Sequence, residues 1–219
     1  MKEHFNLTPQ DAALLHRYGL DAGRLRGCSV REYSFGERIV TVGLPLAHLF
    51  VVTAGKAKVG ITAPNGRNLI MCFYVSDGLI GEAEFFAGAD TGNTTVVALG
   101  DFHCIAVPVA QNSDCLNRSL EFARSAAAEL SKKLANSDTV AAAALYPAEV
   151  RLCRYILGAA DGGAFRDIMT DVACSVGISY RHLYRTLGHL CADGILKKSP
   201  SGYHIENFEA LRSRALAEN

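Results

Sequence analysis

The sequence predicts an α+β protein with three parts in chain order: an antiparallel barrel or sandwich, a long helix, and a winged helix-turn-helix. Three observations carry this. Between residues 28 and 109, short β-branched and aromatic runs alternate with glycines. From 112 to 145 the chain contains no Gly or Pro. From 168 to 205 a cap, a turn glycine, an apolar stripe and two short extended runs follow in order.

Composition narrows the function little. The 219 residues carry 22 Lys+Arg and 22 Asp+Glu, a net charge of zero. The C-terminal stretch 147–219 has a net charge of +1 and the remainder −1, so any nucleic-acid reading rests on local arrangement. The N-terminus MKEHFNLTPQD is too polar for a secretory signal, and no apolar run approaches the length of a membrane span. A cytoplasmic protein without a membrane partner is the expectation. The seven cysteines (28, 72, 104, 115, 153, 174, 191) are scattered, odd in number and never spaced C-x-x-C. Reduced thiols are therefore expected rather than a disulfide framework.

Residues 1–26 read as helical, because DAALLHRYGL and the following GRLRG put apolar residues at helical spacing between Gly breakers. The strands come next: CSVREY, RIVTV, HLFVVTA, KAKVGITA, NLIMCFYV, TTVVAL and HCIAVPV. Short strands with Gly-rich turns at near-regular spacing predict an antiparallel barrel or sandwich. PNGR at 64–67 is a hairpin signal, since Asn-Gly tolerates positive φ. Asn112-Ser113-Asp114 is then a capping cluster for a helix running to Leu145. Ala123, Ala127, Leu130, Leu134, Ser137, Ala141 and Ala144 recur at spacings of 4 and 3, a heptad seam of mostly small residues. A helix of ~30 residues is far longer than the usual ~11–12 and predicts a dimer spine. The alternative is one amphipathic helix packed on its own barrel. Tyr146-Pro147 breaks the pattern and marks a domain boundary, with proline opening the next helix. The expected domains are a sensor at 1–111, a dimerisation helix at 112–146 and a DNA-binding domain at 147–219.

In the third domain Thr170 can cap a short helix, DVACS, with Val172 inward and Ala173 small at a close crossing. Gly177 supplies the positive φ of the tight turn. Ser179 caps a second helix from Tyr180 to about Ala192, whose buried stripe is Leu183, Leu187 and Leu190. Tyr180, Arg181, Tyr184 and Arg185 share another face near its N-terminal end, where a recognition helix meets base edges. His182 is placed to touch phosphate, and His189 to lie on bland surface. ILKKS and YHIEN, joined by a Pro200-Ser201-Gly202 turn, form a two-stranded wing. Lys197, Lys198 and Ser201 are the expected phosphate contacts. Residues 177–204 carry a local charge of +3. Arg181 and Arg185 repel each other at i,i+4 in the free helix, a cost that an anionic partner removes.

The chain resembles the CRP/FNR family of bacterial transcription regulators over almost its full length. The resemblance is carried by FGERIVTVG (35–43), LFVVTAGKAKV (49–59), LIGEAEFF (79–86) and the winged helix-turn-helix at 168–205. GISYRHL…DGIL looks most like the YeiL subgroup, described as regulators linked to stationary phase or nitrosative stress. The resemblance implies an N-terminal double-stranded β-roll like a cyclic-nucleotide-binding domain, which senses an effector. It also implies a homodimer through the long helix, with Ala127, Leu130, Leu134 and Ala141 at the interface. The winged domain is then expected to bind pseudo-palindromic double-stranded DNA near promoters, with RNA polymerase as a further partner. Many members open the recognition helix with Arg and Glu. Here Tyr180 and Arg181 stand first, and Arg185 matches the later Arg. A donor suited to guanine thus replaces an acceptor for cytosine, and a different half-site is expected. Thr186 stands where an aliphatic residue is usual.

In nucleotide-binding members a Gly-Glu pair meets ribose and an Arg-Ser or Arg-Thr pair holds the cyclic phosphate. Gly81-Glu82 matches the first pair; the second aligns with Asn93-Thr94, and no arginine occurs from Asn68 to Asn117. A buried phosphate would lack its charge-assisted contact, so a cyclic nucleotide is disfavoured. Gly81 and Glu82 then have structural roles: a turn, and a carboxylate accepting backbone N–H bonds. Asn136-Ser137 matches the region that meets adenine and reads as a small polar step in the seam. An iron–sulfur cluster needs clustered thiolates, and the N-terminus has only Cys28. Cys72, Cys104, Cys153 and Cys191 read as small buried hydrophobes. His48 and His103 are the β-roll histidines, with little weight as haem ligands. The cofactor is left open.

An enzyme is not expected. A cupin-type metal site needs converging histidines, and no H-x-H, H-E-x-x-H, G-x-S-x-G or P-loop pattern occurs. No metal ligands are assigned. Outside transcription, the alternative is a β-roll interaction module that has lost specific DNA binding.

Overall fold

A computed structural model describes residues 1–62, 69–142 and 146–216, except for the side chains of 69–73 and 136–142. The elements in chain order begin with β1 (Lys2–His4), α1 (Pro9–Arg17), β2 (Ser29–Tyr33), β3 (Arg38–Val40), β4 (His48–Ala54), β5 (Ala57–Thr62) and β6 (Leu69–Val75). Then come β7 (Leu79–Ile80), α2 (Glu82–Ala87), β8 (Thr95–Ala98), β9 (Phe102–Pro108), α3 (Val109–Arg118) and α4 (Leu120–Ala142). The C-terminal elements are α5 (Ala148–Ala159), β10 (Ala164–Phe165), α6 (Met169–Val176), α7 (Tyr180–Ala192), β11 (Leu196–Ser199), β12 (Gly202–Ile205) and α8 (Phe208–Leu216). Contacts divide the chain into two units, Met1–Val59 with Val75–Ser137, and Gly60–Tyr74 with Asp138–Asn219.

Every strand expected between 28 and 109 forms, and they build a β-roll of two sheets ordered β1-β2-β9-β4-β7 and β3-β8-β5-β6. The first unit's core joins Leu49 and Val51 of β4 and Ile105 and Val107 of β9 with Leu15, Leu20, Leu79, Leu116 and Phe122. Alternate strand residues point one way, so i and i+2 from β4 and β9 enter one core. The PNGR hairpin signal at 64–67 lies outside the described residues.

Three local expectations for this unit are corrected. Residues 1–26 are not one helix: only Pro9–Arg17 is helical, opened by a Thr8–Asp11 capping box. Lys2–His4 instead pairs antiparallel with β2, where Glu3 accepts from Ser29 Oγ at 2.6 Å and from Arg31 Nε at 2.8 Å. A three-residue strand carries no period to read. The expected helix from 112 is two helices. Its first, α3, begins at Val109, so Asn112-Ser113-Asp114 lies inside it rather than capping it. Asn112 is buried, accepting from Arg26 N–H at 2.8 Å and donating to the Arg26 and Pro108 carbonyls. The break is at Ser119, which is extended. Its hydroxyl accepts from Phe122 N–H at 3.1 Å and donates to the Gly19 carbonyl at 2.9 Å. A serine that caps a new helix competes with continuing the old one.

The second unit packs around Leu152, Ile156, Phe165, Val172, Leu183, Leu187, Leu190 and Ile205. Its sheet has order β10-β12-β11, so a third strand, Ala164–Phe165, joins the expected two-stranded wing. Pro147 stands at the N-cap of α5. Thr170 does not cap α6. That helix starts at Met169 after Ile168, whose N–H is taken by Asp167 Oδ1 at 2.8 Å. Buried Tyr155 donates to the other oxygen of Asp167 at 2.5 Å. Tyr74 packs edge-on against Tyr155 with ring centroids 6.2 Å apart.

Candidate nucleic-acid interface and sensor pocket

The helix-turn-helix follows its local signals. Gly177 ends α6 at φ 69°, a left-handed conformation that costs glycine little. Arg151 of α5 donates to the Val176 carbonyl at 2.8 Å, satisfying one of the carbonyls a helix end leaves open. Ser179 then caps α7, its Oγ accepting from His182 N–H at 3.2 Å. Leu183, Leu187 and Leu190 are fully buried. Thr186 is also buried, and its hydroxyl donates to the His182 carbonyl at 3.1 Å. That bond explains how a polar side chain is accommodated at an aliphatic position.

Tyr180, Arg181, Tyr184 and Arg185 are all exposed on the outer face of α7. The two tyrosine rings meet edge to face at 4.7 Å between centroids, with hydroxyls 3.0 Å apart. His182 is half-buried and His189 exposed. On the wing, Lys197 and Lys198 are exposed, in register with His204 and Tyr203 of β12. Ser201 is exposed in the turn between the strands. The wing strand β11 packs against α7.

Arg151, Arg154 and Arg214 of the second unit are engaged internally. Arg154 donates to the Ala215 carbonyl at 2.8 Å, and Arg214 pairs with Glu149 at 2.5 Å and Asp193 at 2.8 Å. Arg181 and Arg185 have no such partner among the described residues. Two guanidiniums without a partner among the described residues thus share one exposed face of α7.

The sensor side differs from expectation at its central carboxylate. Gly81, at φ 95°, precedes α2, and a Cβ there would lie 3.2 Å from the His48 carbonyl oxygen. Glu82 follows and is buried, but it does more than accept backbone N–H bonds: Lys133 of α4 forms an ion pair with it. The same ammonium donates to the Leu79 carbonyl at 2.5 Å. Burial pushes the Glu82 pKa up, and Lys133 draws it part of the way back. Glu84, also buried, accepts from Asn93 N–H at 2.9 Å, which pins the loop carrying Asn93 and Thr94. The Asn93 side chain is exposed and Thr94 half-buried. Asn136 and Ser137 lie on α4, their side chains outside the described residues. Sequence reasoning misses Lys133, because a Lys on a helix carries no sign of a partner 51 residues away.

Among the described residues, no buried side-chain polar atom lacks a partner and no group of His, Cys, Asp and Glu could hold a metal ion. Burial pushes the Cys104 and Cys153 thiols up to about 12, which disfavours the thiolate that binds metals or reacts. Cys191 is half-buried; the Cys72 side chain lies outside the described residues. His48 Nε2 lies 3.1 Å from Arg31 Nη2, and burial, then Arg31, pulls its pKa down. A neutral imidazole accepting from a guanidinium has its lone pair occupied.

On α4, Phe122, Ala126 and Glu129 are buried, while Ala127 and Leu134 are exposed and Leu130 half-buried. The expected seam thus lies off the buried face of the helix. Ala141 lies near the helix end, its side chain outside the described residues.

The cyclic nucleotide-binding domain family matches residues 30–119. The regulatory protein YeiL of Escherichia coli O157:H7 is 32% identical over 179 residues, which cover 81% of each chain. The chain belongs to the CRP/FNR family of transcription regulators. Solved structures of that family share its fold. The global regulator CLP of Xanthomonas campestris, described as c-di-GMP-responsive, matches with TM-score 0.70 and 18% identity, over 90% of this chain and 100% of its own. A CRP/FNR-family regulator from Eubacterium rectale matches with TM-score 0.73 and 13% identity, over 97% and 96%. As a CRP/FNR regulator the chain is not an enzyme, and its β-roll has the cyclic-nucleotide-binding fold. Among the described residues, no helix is long and apolar enough to cross a membrane.

Proposed function

We propose that this chain is a cytoplasmic, homodimeric, sequence-specific DNA-binding regulator whose β-roll works without a cyclic nucleotide. The observation that carries the DNA reading is the pair Arg181 and Arg185, exposed and without an internal partner among the described residues. Guanidiniums at the start of a recognition helix suit guanine O6 and N7. Lys197, Lys198 and Ser201 would meet phosphates and set the docking, with His182 and the Ser179 cap at the helix start.

The dimer reading is supported by exposed Ala127 and Leu134 and half-buried Leu130 on α4; Ala141 falls on the same heptad seam in the sequence. Two-fold symmetry then implies half-sites about one helical turn apart, ~34–36 Å. RNA polymerase is the expected partner at the promoter. Against a cyclic nucleotide stand the missing arginine and the Glu82–Lys133 pair, which already neutralises the ribose-binding carboxylate.

The test is selection from a random duplex pool with the full-length protein. Enrichment of a two-half-site sequence with guanines is expected. A pool that stays random after repeated rounds would overturn the reading.

A further inference from the structure

We infer that Tyr180 and Tyr184 form a contact for the C5-methyl group of a pyrimidine, read in the major groove beside the bases met by Arg181 and Arg185. This rests on the DNA-binding reading above and names a further feature of the sequence read.

The fold does not account for the two tyrosines. Neither belongs to the core cluster of the second unit, whereas Tyr203, Tyr155 and Phe165 do. Tyr180 is 50% exposed and Tyr184 40%. Aromatic residues are mediocre helix formers, so two of them four apart on a solvent face gain nothing from helix propensity. Large apolar side chains grouped on a surface mark contact with a partner.

The geometry selects the chemistry. With rings at 61° and centroids 4.7 Å apart, the pair is a preformed wedge. Tyr180 donates its hydroxyl proton to the Tyr184 hydroxyl at 3.0 Å, which takes one of the groups that would otherwise read polar base edges and fixes the two rings as a unit. Beside that joined pair of hydroxyls, the wedge presents aromatic carbon. A duplex offers base edges rather than faces, and the one apolar group on its major-groove edge is the pyrimidine C5-methyl, in thymine or in 5-methylcytosine. Charge complementarity makes DNA the occupant: Arg181 and Arg185 flank the wedge, and exposed Lys197 and Lys198 stand on the adjoining wing.

Base substitutions in the site test this without changing the protein. In the duplex recovered by selection, each thymine is replaced singly by uracil, which removes the methyl and keeps every hydrogen-bonding group. Replacing each cytosine by 5-methylcytosine adds the same methyl elsewhere. Affinity of the full chain is read by fluorescence anisotropy. One position per half-site is expected to lose about fourfold on going from thymine to uracil, or gain about fourfold from 5-methylcytosine over cytosine. That factor corresponds to about 0.8 kcal/mol, one buried methyl-sized group. The first result assigns the methyl to thymine, the second to the modified base. Tyr184→Phe is expected to keep the discrimination, and Tyr180→Ala or Tyr184→Ala to abolish it. If no methyl at any position changes affinity, or if Tyr180→Ala and Tyr184→Ala both retain the difference, the inference fails while the DNA-binding reading stands. A protein that selects no sequence at all overturns both.

Discussion

Lys133 on α4 meets the buried carboxylate of Glu82 at the start of α2, 51 residues earlier in the chain. The carboxylate that nucleotide-binding members offer to ribose is here neutralised by the protein's own long helix. The pair also ties α4 to the roll beneath it, so any signal that moves α4 must act against a buried ion pair.

Removing one partner of such a pair is costly, about 3–5 kcal/mol, because the other charge stays buried. Burial already raises the Glu82 pKa, and Lys133 restrains the rise. A carboxyl whose folded pKa lies above its unfolded one stabilises the fold below the unfolded value. That contribution is lost as pH rises through the folded value. Lys133→Met is therefore expected to be far less stable than the parent at about pH 8 and closer to it at about pH 5, with Glu82→Gln added to Lys133→Met recovering much of the loss. Urea unfolding at both pH values checks this. An equal deficit at both would contradict it.

The occupied carboxylate and the missing arginine make a prediction about ligand. Cyclic AMP is expected to give no saturable heat in titration calorimetry with the full chain. A saturable isotherm at physiological nucleotide concentrations would show that a buried phosphate finds another partner.

Arg181→Ala and Arg185→Ala are each expected to cost about 1–3 kcal/mol against the selected duplex, with discrimination relaxed at one base position. Folding stability is expected to hold or rise by a few tenths of a kcal/mol, because like charges at i,i+4 are separated. Anisotropy and urea unfolding together separate a weakened interface from a weakened fold. Unaltered specific binding in both variants would show that residues other than this pair read the bases.

Lys197→Ala is expected to weaken all duplexes alike and to lower the salt dependence of binding, with the slope falling by about 0.9 for each phosphate no longer neutralised. In the proposed homodimer, which carries two such lysines, the observed change doubles. A loss confined to one sequence would assign Lys197 to base reading instead.

Leu134 is exposed on α4, 65% open to solvent in the single chain. Leu134→Asp is expected to shift sedimentation velocity from dimer to monomer, with the roll still folded, since the side chain lies off the buried face. A parent protein that sediments as a monomer would defeat the dimer proposal.

The recognition region is legible in the sequence because its signals are local. Ser179, Gly177 and the Leu183–Leu187–Leu190 stripe act within a turn or two of the chain, through a cap, a positive φ and one helix period. The β-roll strands are equally readable from their alternation with glycines. The helix break at Ser119 is not, because serine interrupts α3 and caps α4 only with Gly19 and Phe122 in position. Thr170 has no capping role because α6 already begins one residue earlier at Met169, after an extended Ile168.

By itself the sequence determined the run of strands between 28 and 109, the turn and cap of α7, and the choice of Tyr180, Arg181, Tyr184 and Arg185 as its outer face. These follow from periodicity and from bonds between near neighbours. The tertiary structure alone decided that Lys133 closes on Glu82, that Lys2–His4 adds a strand, that Ala164–Phe165 extends the wing, and that Arg181 and Arg185 stay unpaired among the described residues. Each of these depends on which distant groups meet, and burial, through desolvation, makes such meetings energetically decisive.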